Sequence, residues 1–429
     1  MTHEKDTASP WLLEGDLQET SGISRERLLI CSESGKILDR GDLPGDPDVI
    51  WPEGVRVCPG FIDIHVHCRD DPSGEHRYTE DFLSSSQAAI QGGVVLMGDM
   101  PNNPIPPSNQ LDYQKKRDLA DEVGLIDIVL HGLVTPEGDC FSSEIPWKCY
   151  FGPSVGEIDS WGDRGVTAVL ENYRGQRVTF HAEDPPMLIA AQDAETHEKR
   201  RPPEAEVAAI DTILKVCREL DITAHIAHLS TAEGLRRIEQ ARAEGQIVTT
   251  EVTPHHLAFD MENRHEWKCG EWLQMNPPLR TPHDREVLME GLLNGSIEVL
   301  ATDHAPHTVE ENRRGISGVP QLDTFGAFVC HLASEGFPWE VLVDRASTRP
   351  AELFDPFTQG TFGQLKPGAV ASLTIVDTRS PWTLNRSEVQ SRAGWSPFED
   401  RPFPGKVIET VIRGIRRDPA TSKEIHVKG

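Results

Sequence analysis

Between residues 60 and 355, short apolar runs rich in β-branched residues alternate with stretches whose apolar positions return every three or four residues. The first pattern is that of buried strands, the second that of helices lying against a sheet. Strands are predicted at 61–66, 93–98, 126–133, 147–151, 177–181, 222–227, 246–251 and 297–302. The clearest helix follows "RPPE": Val207, Ile210, Leu214 and Cys217 fall on one stripe, and Pro202 and Pro203 suit its entry. Strands alternating with helices predict an α/β fold, here a parallel TIM-type (β/α)8 barrel. The flanks differ in kind. "LLICSESGKILD" near the start, and "ASLTIVD" with "KVIETVIRGI" near the end, read as short strands separated by Gly and Pro turns. They predict a small β-sandwich-like domain built from both termini, residues 1–59 and 360–429, beside a barrel over 60–359.

The length, 429 residues, suits a large barrel with a modest appendage. Composition narrows the partners. Acidic residues outnumber basic ones by 69 to 42, a formal charge of −27, which repels phosphate backbones and anionic lipid surfaces and so argues against nucleic-acid and membrane partners. A small anionic substrate would need a local cation, and Arg69 is a candidate. The eight cysteines form neither a C-x-x-C pair nor a dense framework, as expected in a reducing cytoplasm. The first residues carry charges and Pro10 where a secretory leader needs an apolar centre, and no run approaches membrane-spanning length.

Polar residues gather where the predicted strands end. In "GFIDIHVHCRD", His65 and His67 are two apart, so on an extended strand both project to one side and can grip a cation. Lys148 in "WKCYFG", His181 in "VTFHAED", His228 in "AHIAHLS" and Asp303 in "ATDHAPH" occupy equivalent places. Barrel enzymes build their sites at that end of the sheet, so the six predict one site, although Lys148, an ammonium without a lone pair, by itself reads as a surface or salt-bridged lysine. Taken singly, each histidine reads more readily as a hydrogen-bonded structural residue than as a ligand; the H-x-H pair is more specific. His225, three before His228, is expected to face outward by strand alternation. His255 and His256 in "TPHHL" read as a structured turn, and Cys68 and Cys149 as facing away from the ligands.

The chain resembles the dihydroorotases of the cyclic amidohydrolase superfamily. "PGFIDIHVHCR", "AAIQGGVVLMGDMPNNPIPP", "KCYFGPSVGEI", "RPPEAE", "AHLST", "EVTPHHL", "NPPLR" and "ATDHAPHT" occur in that family's order, and the tail "GWSPFEDRPFPGKVIETVIRGI" is similar too. The resemblance implies two divalent metals, zinc by ligand type, bridged by a CO2-derived carbamate on Lys148. It places His65, His67, Lys148 and Asp303 around one ion, and Lys148, His181 and His228 around the other. It makes Asp303 the catalytic proton carrier, and gives Arg69, Asn102, Asn276 and His307 to the substrate. The implied activity is the reversible cyclisation of N-carbamoyl-L-aspartate to L-dihydroorotate, with a homo-oligomer or another pyrimidine-pathway enzyme as conceivable partners. One departure stands out: after H-x-H-x-R the family continues with a compact E-P-G stretch, whereas here "DDPSGEHRYTED" is longer and more polar. The segment "ENRRGISGVPQLDT" after His307 has the composition of a mobile loop that could fold over the substrate. Dihydropyrimidinases, hydantoinases and allantoinases share such a scaffold and are the alternative enzymes; a non-catalytic scaffold that kept the fold is the alternative of another class.

Overall fold

The computed structural model describes residues 10–152 and 165–426; the extreme ends of the expected β domain, 1–9 and 427–429, fall outside these. The leading strands are β1 (Trp11–Glu19), β2 (Gly22–Cys31), β3 (Lys36–Gly41), β4 (Val49–Ile50) and β5 (Val55–Pro59). After them come β6 (Phe61–Val66), β7 (Val94–Asp99), β8 (Asp127–Leu130), β9 (Gly132–Leu133), β10 (Trp147–Tyr150), β11 (Arg177–His181), β12 (Thr223–Ile226), β13 (Val248–Val252) and β14 (Val299–Leu300). The closing strands are β15 (Leu373–Asp377), β16 (Trp382–Thr383), β17 (Pro402–Phe403), β18 (Lys406–Ile412) and β19 (Ile415–Arg417). Every central strand expected from the sequence is present, within a few residues of its expected ends.

The central strands are parallel. β6, β7 and β8 form one sheet and β9 to β14 another, in simple sequence order. Only His131 separates β8 from β9. At the other end, Val66 bridges His304 in parallel, and the His67 amide donates to the His304 carbonyl at 2.8 Å. Helices intervene between strands. The longest, Pro203–Leu220, starts with proline at its first position, where no intrahelical N–H is needed, and buries Ile210, Leu214 and Cys217, while Val207 is half-buried. Each such fully buried side chain contributes about 1.5–3 kcal/mol by leaving water.

Most of the terminal strands form one sheet, ordered β19-β18-β15-β5-β1-β2-β3, with β4 beside β1, while β16 and β17 pair only with each other. Its centre joins the two ends of the chain: Val55–Pro59 runs antiparallel to Leu373–Asp377, and the Trp11 indole donates to Gly414 O at 3.0 Å. Trp11, Leu13, Leu28, Val57, Leu373 and Val411 belong to an apolar cluster separate from that of the central strands. Among the described residues, no helix is long and apolar enough to cross a membrane.

Candidate active site

The carboxyl ends of the parallel strands converge on a buried cavity of about 30 Å³. Nine of the ten residues singled out from the sequence line it: His65, His67, Arg69, Asn102, Lys148, His181, His228, Asn276 and Asp303. The tenth, His307, lies immediately behind, its Nε2 accepting a hydrogen bond from Arg69 Nη2 at 3.1 Å. A larger cavity of about 460 Å³ lies elsewhere, but four of its charged groups pair off, Arg413 with Asp127 and Arg117 with Asp121. Convergence of reactive groups, rather than volume, therefore identifies the site.

The backbone bends sharply here. Among the described residues, seven that are not glycine have φ in the left-handed region, and three of them line this cavity: Arg69 at 56°, His228 at 36° and Asp303 at 48°. Such conformations cost about 1–3 kcal/mol and collect where function requires a side chain to be re-aimed. They also explain one misreading. β12 ends at Ile226, so alternation cannot be counted through to His228. His225 does not face outward: it is buried and donates from Nε2 to Glu251 Oε2 at 3.1 Å.

Two groups of ligand-type atoms face each other. His65 Nε2 and His67 Nε2 lie 3.2 and 3.0 Å from the same Asp303 oxygen, and one nitrogen or oxygen from each of the three residues falls within a 4.8 Å circle. Opposite, His181 Nδ1 is 3.0 Å from His228 Nε2. Burial pushes all four imidazoles below their ordinary pKa, and the Lys148 charge adds to the effect on each. They are therefore neutral, with a lone pair to offer a cation. Burial raises the Asp303 carboxyl.

Lys148 is fully buried, and among the described residues its Nζ has no hydrogen-bond partner, an unusual cost for an ammonium. Burial lowers it to about 8. An amine converted to a carbamate would replace this orphan with two oxygens able to ligate cations. The donor set and the orphaned nitrogen together fit a metal centre.

The outer nitrogens of three imidazoles are also fixed. His65 Nδ1 donates to Glu251 Oε1, His67 Nδ1 to Asn102 Oδ1 at 2.5 Å, and His181 Nε2 to Glu183 Oε2 at 2.9 Å. Glu183 is itself paired with Arg201, from the "RPPE" segment. Neither Glu183 nor Glu251 was singled out from the sequence. Glu183 stands two residues beyond His181, and Glu251 is the one charged residue of the β-branched strand Val248–Val252. Tyr150 also lines the cavity, and its place two residues after Lys148, on the same face of β10, is a signal that could have found it.

On the substrate side, the buried Arg69 Nε and Asn276 Oδ1 likewise have no hydrogen-bond partner among the described residues. Burial and the neighbouring Arg69 push His307 down to about 3, leaving it a neutral acceptor for the guanidinium. The similar tail contributes here: Trp395, fully buried, donates from Nε1 to His307 O at 2.8 Å. The segment after His307 packs against the cavity, where Ser317 and Gly318 line it, and Asn312 Nδ2 donates to Gly318 O at 2.9 Å. Gly318 has φ 143°, and a Cβ there would meet Ala305 O at 2.4 Å. His255 and His256 begin the short helix Pro254–Ala258; His256 Nε2 donates to Pro277 O at 3.2 Å, steadying the loop that carries Asn276. Cys68 and Cys149 take no part in the lining.

Parallel strands carrying a histidine–aspartate cation site define a metal-dependent hydrolase, and the comparison agrees: the amidohydrolase family model matches residues 56–416, and the chain belongs to that family. Its curated relatives include proteins named dihydroorotase. That of Pyrococcus furiosus is 31% identical over 386 residues, covering 89% of this chain and 86% of its own. That of Halobacterium salinarum is 36% identical over 382 residues, covering 84% and 85%. Among solved structures, the L-hydantoinase (dihydropyrimidinase) of Arthrobacter aurescens superposes with a TM-score of 0.86 at 24% identity over 97% of each chain, a likeness of fold.

Proposed function

We propose that the chain is a dihydroorotase, interconverting N-carbamoyl-L-aspartate and L-dihydroorotate in pyrimidine biosynthesis. The observation that carries this reading is one cavity lined by four neutral histidines, a lysine whose Nζ lacks a hydrogen bond among the described residues, and an aspartate, with an arginine Nε likewise without a hydrogen bond beside them. The dihydroorotase relatives, matched over more than four-fifths of both chains, support it. The fold reading that accompanies it is a closed eight-stranded barrel over 60–359, with the termini, 1–59 and 360–429, as a separate β domain. The His131 junction and the Val66–His304 bridge support the barrel, and the cluster around Leu13, Val57, Leu373 and Val411 supports the β domain, while Phe362, Trp395, Phe398 and Phe403 of the C-terminal stretch pack with the barrel.

His65, His67 and Asp303 would hold one metal and His181 and His228 the other, with a carbamate on Lys148 shared between them; nitrogen and oxygen donors suit zinc. When bound, such metals acidify water and polarise a carbonyl. The protein's own groups do the rest. Arg69 and Asn102 grip the free carboxylate of the substrate, the guanidinium by a charge-assisted fork, with Asn276 and His307 completing the pocket. In ring opening, water adds to the ring amide carbonyl and the C–N bond breaks, while Asp303 takes the proton from water and passes it to the departing nitrogen. In ring closure Asp303 accepts the proton of the ureido nitrogen as that nitrogen bonds to the carbon of the protonated side-chain carboxyl, and passes it to the hydroxyl that departs as water. The local cation answers the acidic surplus of the whole chain, which would otherwise repel this substrate. Among the described residues no cysteine forms a disulfide, in keeping with a cytoplasmic enzyme.

Purified protein supplied with zinc and bicarbonate is expected to turn over L-dihydroorotate and N-carbamoyl-L-aspartate, and to leave dihydrouracil, hydantoin and allantoin unchanged. Turnover confined to the uncharged rings overturns the substrate; metal-replete protein without any turnover overturns the enzyme in favour of a scaffold.

A further inference from the structure

Glu251 lies within β13, completely buried, and among the described residues no arginine or lysine pairs with it. Its two oxygens receive three hydrogen bonds from three directions. Oε1 accepts from His65 Nδ1 and from the backbone N–H of His228 at 3.0 Å, and Oε2 accepts from His225 Nε2 at 3.1 Å. His225 Nδ1 then accepts from the Thr249 hydroxyl at 2.8 Å.

We propose that Glu251 is the positioning residue that fixes the histidines on both sides of the metal centre. The inference rests on the metal-centre reading above. An ionised carboxylate can only accept, so His65 must carry its proton on Nδ1, and its Nε2 lone pair is left pointing at the Asp303 side of the cavity. The same oxygen holds the His228 amide where the backbone adopts its left-handed turn. One atom thus ties a histidine of the first group to a histidine of the second. A buried anion flanked by neutral imidazoles also makes the cavity favourable to cations. Glu183 plays a narrower part, touching one histidine with its charge offset by Arg201.

Glutamine at this position has nearly the same shape but only one acceptor oxygen, so it cannot serve all three donors. Its amide nitrogen must face either His225 or His65, and in the second case it forces the His65 proton onto Nε2 and removes the ligating lone pair. The test compares wild type with Glu251→Gln and Glu251→Asp by chelator competition for zinc, thermal melting without metal, and kcat and KM for dihydroorotate at saturating zinc. Glu251→Gln is expected to weaken zinc binding about 10–100-fold and lower kcat, with KM within about twofold, and Glu251→Asp to recover part of the affinity. Tight zinc binding by wild type with equal binding by Glu251→Gln overturns this inference alone. Absence of zinc binding by wild type overturns the metal-centre reading and the inference with it. If Glu251→Gln does not fold, nitrogen-15 spectra of histidine-labelled, metal-free wild type decide: His65 protonated at Nδ1 supports the inference, and at Nε2 overturns it.

Discussion

The side-chain oxygen of Asn102 lies 2.5 Å from His67 Nδ1, so the amide faces two ways at once. Its Oδ1 fixes the tautomer of His67, leaving Nε2 directed at Asp303, while its Nδ2 remains to donate into the cavity. A residue assigned from family resemblance to the substrate therefore also braces a histidine of the cation site.

Asn102→Ala is accordingly expected to impair both functions: KM for dihydroorotate up by about tenfold for a lost hydrogen bond to a charged group, and zinc affinity down by at least a similar factor. Steady-state kinetics at saturating zinc, set against chelator competition, separates the two. A change in KM alone would show that the His67 contact is dispensable.

Arg69→Ala should be cleaner. The guanidinium contacts His307 but none of the six residues of the cation site, so metal content should stay at the wild-type level while KM for the anionic substrate rises about 10–100-fold. Loss of metal in this variant would refute the carboxylate-anchor role.

Lys148→Ala removes the buried nitrogen that lacks a hydrogen bond among the described residues, and is expected to depress both metal content and turnover. A short carboxylic acid added to this variant should restore part of the activity if a bridging carboxylate is what the site requires. Elemental analysis with and without acetate measures it.

Asp303→Asn preserves shape but cannot carry a proton as a carboxylate does. A fall in kcat of about 10²–10⁴ is expected, the range for loss of a positioned acid–base group, together with weaker metal binding because the residue also faces His65 and His67. Rates measured at saturating zinc isolate the proton-transfer part.

Lys116 sits on the helix Gln110–Val123, fully buried, paired with Asp99 at 2.5 Å and donating to Asn103 Oδ1 at the same distance. Lys116→Met strands a buried carboxylate and is expected to cost about 3–5 kcal/mol of stability, visible as a lowered melting temperature. Because Lys116 also holds the loop that carries Asn102, a rise in KM should accompany it.

Much of this architecture was legible because apolar β-branched runs mark strands whatever surrounds them, and the chemistry sits just beyond their ends. His65 and His181 lie within strands that run to the site, and His67 is the first residue past the end of β6, so all three could be placed by counting. His225 could not, because the count crossed Ile226, where the extended backbone stops. Lys116 was hidden for the opposite reason. In "QKKRDLADE" it is one charge among many on a polar helix, and only the packing of that helix reveals which lysine turns inward. Glu251 left a trace, a carboxylate within a β-branched strand, but its hydrogen bonds to residues as distant in sequence as His65 become visible only in three dimensions.

The pairing of Val55–Pro59 with Leu373–Asp377 bears on how the molecule is made. On the ribosome, the early strands emerge with one flank bare and wait through more than three hundred residues of synthesis for their neighbour. During that interval the exposed edge is open to pairing with another nascent chain, so chaperone dependence and sensitivity to late stop codons should be written into the order of its strands.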